Sequence, residues 1–168
     1  MIEITQADTD VQLEQVRSLQ RAYLAWQRQT NKDRRDLVEK YFDPKAFETE
    51  LASLPGTFAP PSGRLLLAYY DGIPAGTVAL RDLGSQICEM KRMFVEAQHL
   101  GKGIGRALGE AIIHEARLIG YTKMRLDTGT RLIAAHTLYR RLGFREIKPY
   151  YELSQELAEI VIFMELTL

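Results

Sequence analysis

One cysteine in 168 residues, Cys88, rules out an internal disulfide framework, and its place in a β-prone run reads as a buried thiol without chemistry. Net charge is absent. The 22 Lys and Arg balance 22 Asp and Glu, which removes any general pull toward nucleic acid or an anionic membrane surface. No uncharged apolar run is long enough to span a bilayer and no basic-then-apolar leader is present, so cytoplasm is the expected compartment. Three histidines and one cysteine give no metal-ligand spacing, and no metal is expected. Repeats, low-complexity tracts and linkers are missing too, which leaves 1–168 as a single expected domain. Hydrophobic content of 46% and charged content of 26% suit an ordinary folded chain with the length to bury a core.

The most informative stretch runs from Cys88 to Ile119. A β-prone segment, Cys88 to Val95, leads through Glu96 to Leu100 into Gly101-Lys-Gly-Ile-Gly-Arg106. Behind the glycines, Ile104, Leu108, Ile112, Ala116 and Ile119 recur at helical spacing, so a glycine turn opens a helix. Gly101, Gly103 and Gly105 leave the first-turn amides uncovered, and the helix dipole adds positive potential there. Such a place suits an anion, phosphate above all. A Rossmann fingerprint draws some support from Lys123-Met-Arg-Leu-Asp127, but Arg106 stands where its third glycine belongs, and five residues separate Val95 from Gly101. A P-loop fails because no Gly-Lys-Ser/Thr closes the run.

The remaining segments frame this stretch. Met1 to Thr5 reads as a strand, and Asp8 to Asp10 cap a helix running to about Gln29, with Trp26 assigned to core packing ahead of a pocket wall. Asn31 to Asp36 reads as a solvated loop or face, a contact for a charged substrate being the lesser alternative. Asp43-Pro44 begins a helix to about Leu54, and the turn-rich stretch to Gly63 is a connection. Arg64 to Tyr70 and Pro74 to Arg81 form a hairpin about Asp71-Gly72, which the Cys88 strand extends into a meander. Gly120 stops the glycine helix, and Lys123 to Thr128 follows as a parallel strand. A helix from about Arg131 to Leu142, a short strand from Phe144 to Ile147 and a last strand from Ile160 to Leu168 complete the chain. The fold class is α/β, one mixed sheet of six to seven strands with about four helices.

Four features line up in order from Ile73 onward: the hairpin, the strand end Met93-Phe-Val95, Gln98-x-x-Gly101-x-Gly103 opening a helix, and Ala135-x-x-Leu138-Tyr139-x-x-x-Gly143-Phe144. Together they resemble the GCN5-related N-acetyltransferase (GNAT) superfamily. Glu89 to Val95, Leu126 to Thr128, Pro149 to Tyr151 and Phe163 to Leu166 look like one small bacterial branch without a firmly defined substrate. Residues 1–63 match only as two helices after a strand.

The resemblance implies a sheet whose fourth and fifth strands splay apart around acetyl-CoA, used as cosubstrate. Met93, Phe94 and Val95 would meet the pantetheine arm and acetyl oxygen; Gln98, Gly101, Lys102, Gly103, Ile104, Gly105 and Arg106 would hold the pyrophosphate. The implied reaction is direct acetyl transfer to a primary amine of a small molecule, amino acid or peptide in a ternary complex, without a metal. A homodimer follows from family habit. An alkyl ammonium, with pKa near ~10.4, must lose a proton, and the departing thiolate gains one.

Tyr139 takes the acid role by its motif position, although its helix stripe alone would make it a core tyrosine. For the base, Glu89 ranks ahead of Asp127 because its strand borders the gap. Alternation puts Glu89 on the face of Met93 and Val95 unless a bulge reverses the parity. The bland readings are a cross-strand ion pair for Glu89 and a turn cap for Asp127. Arg92 reads as a structural ion pair ahead of a clamp for a carboxylate substrate, and His99 and His136 as surface or filler. Leu132 stands where many members carry an asparagine that contacts pantetheine. A non-catalytic acyl-CoA-binding regulatory or interaction domain, and a nucleotide-binding domain for NAD or ATP, are the competing readings.

Overall fold

The computed structural model describes residues 1–168. Seven strands form one sheet: β1 (Ile2–Gln6), β2 (Arg64–Tyr70), β3 (Ile73–Gly84), β4 (Ile87–Val95), β5 (Lys123–Gly129), β6 (Arg145–Ile147) and β7 (Val161–Thr167), in the order β1-β2-β3-β4-β5-β7-β6. Every neighbouring pair is antiparallel except β4 and β5. Asp71 and Gly72 take positive φ in the β2–β3 turn, the geometry that an Asp-Gly pair supplies to a tight hairpin.

Helices cover both faces. On one lie α4 (Ile104–Ile119) and α5 (Ile133–Arg141), whose Leu108, Ile112 and Tyr139 pack on Val78, Met90, Met124 and Leu126. On the other lie α1 (Asp10–Thr30), α2 (Arg35–Tyr41) and α3 (Pro44–Ala52), whose Val16, Val38 and Phe47 pack on Leu65, Leu67 and Ala79. A capping box begins α1: Thr9 accepts from the Gln12 amide while the Gln12 side chain takes the Thr9 amide. Asp43 caps α3, with Pro44 in its first turn.

Two helices exceed the expected four. α2 and the single turn α6 (Gln155–Ala158) fall where the sequence read as a charged loop and a break. α2 has no side-chain cap at Arg34, so the local signal for a helix start is missing. Tertiary contacts supply its stability: Val38 and the following Phe42 are buried, Glu39 bridges Arg28 and Arg35, and Asp33 in the preceding turn grips Arg131. Trp26 corrects another expectation. It is 41% exposed, stacked on Tyr23 rather than enclosed in the core.

The charges around α2 carry a pH signature. The hydrogen bond from Arg131 holds Asp33 down from 3.8 to about 2, and that from Arg28 holds Glu39 down from 4.5 to about 2. A depressed carboxylate stabilises the fold above its unfolded pKa, and that contribution is lost as pH falls through the folded value. Acidification from about 4.5 to about 2 is therefore expected to loosen α2 ahead of the sheet. Trp26 fluorescence should change in that window while far-UV dichroism persists; coincident loss of both signals would rule the ordering out.

Candidate active site

β4 and β5 pair over three rungs only, Ile87 with Lys123, Cys88 with Met124 and Glu89 with Arg125. Beyond Glu89 the strands separate, and a cavity of about 790 Å³ opens between Met90–Val95 and Leu126–Gly129. It reaches both faces of the sheet, bounded by Ile104, Leu138 and Tyr139 on one and by Tyr23, Tyr41 and Phe42 on the other.

A bulge shapes the β4 wall. Arg92 and Met93 together face Val78, and Arg92 has φ of 57°, a costly left-handed conformation for a residue with a side chain. Its carbonyl accepts from Gln20 Nε2 at 3.2 Å, and its guanidinium meets Glu50 at 3.0 Å above the rings of Phe42 and Phe47. Arg92 is thus a structural ion pair. The bulge reverses the alternation: Met93 and Val95 pack on the α4 side with Cys88 and Met90, whereas Phe94 packs on the α1 side, 5.5 Å from Tyr23. Glu89 consequently lies on the face opposite Met93 and Val95.

At the cavity's α4 end, Gly101 and Gly103 adopt φ of 77° and 83°, and a Cβ on either would meet nothing within 4 Å. Gly103 caps α4 without a side-chain bond, and no acidic residue sits in the first turn. None of the backbone amides from Gly101 to Arg106 donates to a protein acceptor; the first to do so is that of Ala107, to Gly103. Six consecutive free donors at a helix N-terminus form an anion cradle. Side chains expected there are otherwise engaged: Gln98 donates to Glu96 at 2.8 Å, Lys102 lies over the Tyr70 ring, and Arg106 pairs with Glu110 in solvent. Met93, Phe94, Val95, Gly101, Gly103, Ile104 and Gly105 do line the cavity.

Two further cavity residues carry unanswered polar atoms. His99 is buried, not superficial, with both ring nitrogens unpartnered; the Thr128 hydroxyl, buried on β5, is unpartnered as well. Buried polar groups of this kind ordinarily have partners, and a cofactor arm rich in amides would supply them. The free amides, the side-chain-free glycine surface and these orphaned atoms all fit coenzyme A. His136 is buried too, with Nε2 2.7 Å from the Gly129 carbonyl.

The three candidate acid–base residues part company. Tyr139 is buried on the α4 and α5 side, its hydroxyl bonded to no protein group; burial first, then Tyr23 and Asp127, push its ionisation well above the usual phenol value. Asp127 lines the cavity from the opposite face, accepting from Tyr41 at 2.8 Å on both oxygens and from Tyr151. The Tyr41 and Tyr151 phenols are likewise pushed up, by burial first and then by Asp127, and stay protonated donors. Glu89 is 2% exposed and lies outside the cavity wall. It is paired to Arg81 directly across the β3–β4 ladder at 2.8 Å, to Lys91 at 3.7 Å, and it accepts from Tyr150 at 2.6 Å. The sequence assigns no site role to Tyr41 or to Tyr151, the latter entering only within the run Pro149 to Tyr151.

Comparison with known proteins agrees with this fold. The acetyltransferase (GNAT) family model matches residues 16–144. An uncharacterized N-acetyltransferase of Schizosaccharomyces pombe is 37% identical over 106 residues, covering 62% of this chain and 65% of the relative. The N-acetylaspartate synthetase of Danio rerio is 34% identical over 115 residues, 67% of this chain but 40% of that protein. The chain therefore spans less than two thirds of the length of these relatives. Among solved structures, the PaiA N-acetyltransferase of Thermoplasma acidophilum, in complex with coenzyme A, superposes with TM-score 0.72 at 16% identity, covering 100% of this chain and 99% of its own. That likeness is one of fold.

A side chain on the glycine turn should destroy the cradle without touching the core. Gly103→Val forces a β-branched residue into the left-handed region, a strain of about 1–3 kcal/mol, and places methyl groups among the free amides. The expected result is coenzyme A affinity reduced by at least about tenfold, a loss of about 1.4 kcal/mol by titration calorimetry, with the helical dichroism unchanged. Unaltered affinity would mean that the amides from Gly101 to Arg106 do not hold the cofactor.

Proposed function

We propose that this chain, which belongs to the acetyltransferase (GNAT) family, moves the acetyl group of acetyl-CoA to a primary amine by direct attack in a ternary complex. One observation carries the reading: the cavity between β4 and β5 has an anion cradle and Tyr139 on one side of the sheet and Asp127 on the other.

In this reading coenzyme A supplies an activated acetyl thioester, held through its pyrophosphate by the amides from Gly101 to Arg106. The strand-end amides at Met93 and Val95, on the cavity wall, would serve the acetyl oxygen, where negative charge develops as the amine adds. Asp127 faces the side from which an acceptor enters. Its carboxylate takes the ammonium proton, directly or through water, and frees the lone pair that attacks the acetyl carbon. The carbon–nitrogen bond forms as the carbon–sulfur bond breaks. Tyr139, kept protonated by its surroundings, gives its hydroxyl proton to the departing sulfur, and the second proton of the attacking nitrogen, lost as the amide forms, restores the phenol.

Glu89 has a different part. Its oxygens are occupied by Arg81, Lys91 and Tyr150 at the last paired rung, so it closes the base of the gap. Geometry therefore favours Asp127 over Glu89 as base.

Thiol release with an amine panel tests the assignments. Tyr139→Phe and Asp127→Asn are each expected to lower kcat by about 10²–10⁴. The Asp127→Asn rate should recover as pH rises toward the amine's own pKa of about 10.4, where solution supplies the free base. Glu89→Gln should largely keep turnover while losing about 1–3 kcal/mol of stability. Loss of turnover in Glu89→Gln with Asp127→Asn unaffected would reverse the assignment. If no amine accelerates release of the thiol, the transferase reading fails.

A further inference from the structure

Every Lys and Arg on the cavity wall meets a carboxylate, with one exception. Lys91 meets Glu89, Arg92 meets Glu50 at 3.0 Å, and Arg131 donates two hydrogen bonds to Asp33 at 2.7 and 2.8 Å. Asp127 is held by phenols, and Glu96 accepts from Gln98. Arg34 has no carboxylate partner. Its one contact is a long bond from Nε to Asn31 Oδ1 at 3.4 Å, which leaves the terminal nitrogens of the fork uncommitted. The acids nearest in sequence are spent or elsewhere: Asp33 on Arg131, Glu39 on Arg28 and Arg35, and Asp36 exposed outside the cavity wall.

Position adds to chemistry. Arg34 belongs to the segment that crosses the acceptor face of the gap. At one end Asp33 fastens it to Arg131, just beyond β5, and at the other the Tyr41 hydroxyl reaches Asp127. Partial burial and the neighbouring Arg131 both disfavour the charge on Arg34, and Asp33 offsets this only in part. An uncompensated, partly desolvated guanidinium is a standing demand for an anion, and its planar fork matches a carboxylate in two parallel bonds. The pyrophosphate cradle lies on the other face of the sheet, so this cation is not part of it.

We infer that Arg34 is the carboxylate anchor of the acceptor site, and that the amine acetylated here carries a carboxylate held by Arg34 while its nitrogen faces Asp127. This rests on the transferase reading above for the fate of the amine, but the binding claim stands apart from turnover.

The experiment titrates protein saturated with coenzyme A against α-amino acids and β-alanine, each beside its carboxamide, by calorimetry. At least one acid is expected to bind about 10- to 100-fold more tightly than its amide, the span of a charge-assisted hydrogen bond. Arg34→Gln should abolish that preference and Arg34→Lys restore part of it, with coenzyme A affinity unchanged in both. Equal binding of every acid and its amide, or a preference that survives in Arg34→Gln, overturns the inference. So does a loss of coenzyme A affinity in Arg34→Gln with acceptor binding intact, which would make Arg34 a cofactor residue. Acids that bind through Arg34 without releasing thiol would sink the transferase reading and leave the anchor standing.

Discussion

The parting of two parallel strands after three rungs governs the rest of this molecule. From Met90 onward β4 is bonded on one side only, to β3, and from Leu126 onward β5 is bonded only to β7. A sheet interior ordinarily satisfies its backbone groups on both edges, so two facing unpaired edges make a slot lined with donors and acceptors. The bulge at Arg92 turns the β4 edge, and the ion pair to Glu50 together with the bond from Gln20 holds the costly backbone angle. Because the slot passes through the sheet, one ligand can approach from the α4 face and another from the α1 face without sharing a doorway.

Two carboxylates on the same side of the sheet have opposite surroundings for a positional reason. Glu89 stands on the last paired rung, beside Arg81 and beneath Tyr150; Asp127 stands past the divergence, in the slot. The consecutive tyrosines Tyr150 and Tyr151 each reach one of them, with Phe163 packed against both rings. The short run between β6 and α6 thus registers the two strands against each other across the point where their own hydrogen bonds cease.

Much of this was legible in the residues. The apolar spacing behind Gly101 located α4, Asp71-Gly72 located the hairpin, and the glycine turn announced its free amides, because each of these signals is local. The order of α1, α3 and the strands followed similarly from caps and turns. What escaped was tertiary. α2 has no cap and is helical through Val38, Phe42 and distant arginines; Trp26 sits on a helix face that only the fold shows to be a cavity wall. Glu89 outranked Asp127 in the sequence because a strand's border with the gap was legible whereas the rung at which pairing ends was not. His99 reads from the sequence as surface or filler, because nothing in its neighbours signals the burial of both ring nitrogens.

The attachment of α2 has a consequence for how such a chain diversifies. The α4 face of the slot is backed by the middle of the core, Ile104, Leu108 and Tyr139 among it, where a change in volume is felt throughout the fold. The wall over the α1 face is instead rooted by Val38 and Phe42 and otherwise fastened at its surface by Asp33 to Arg131 and Lys40 to Glu156. Exposed pairs of this kind contribute little to stability and can be rewritten one at a time at small cost. Substitutions on the α1 wall can therefore reshape that mouth of the slot while the α4 face and the glycine turn stay as they are.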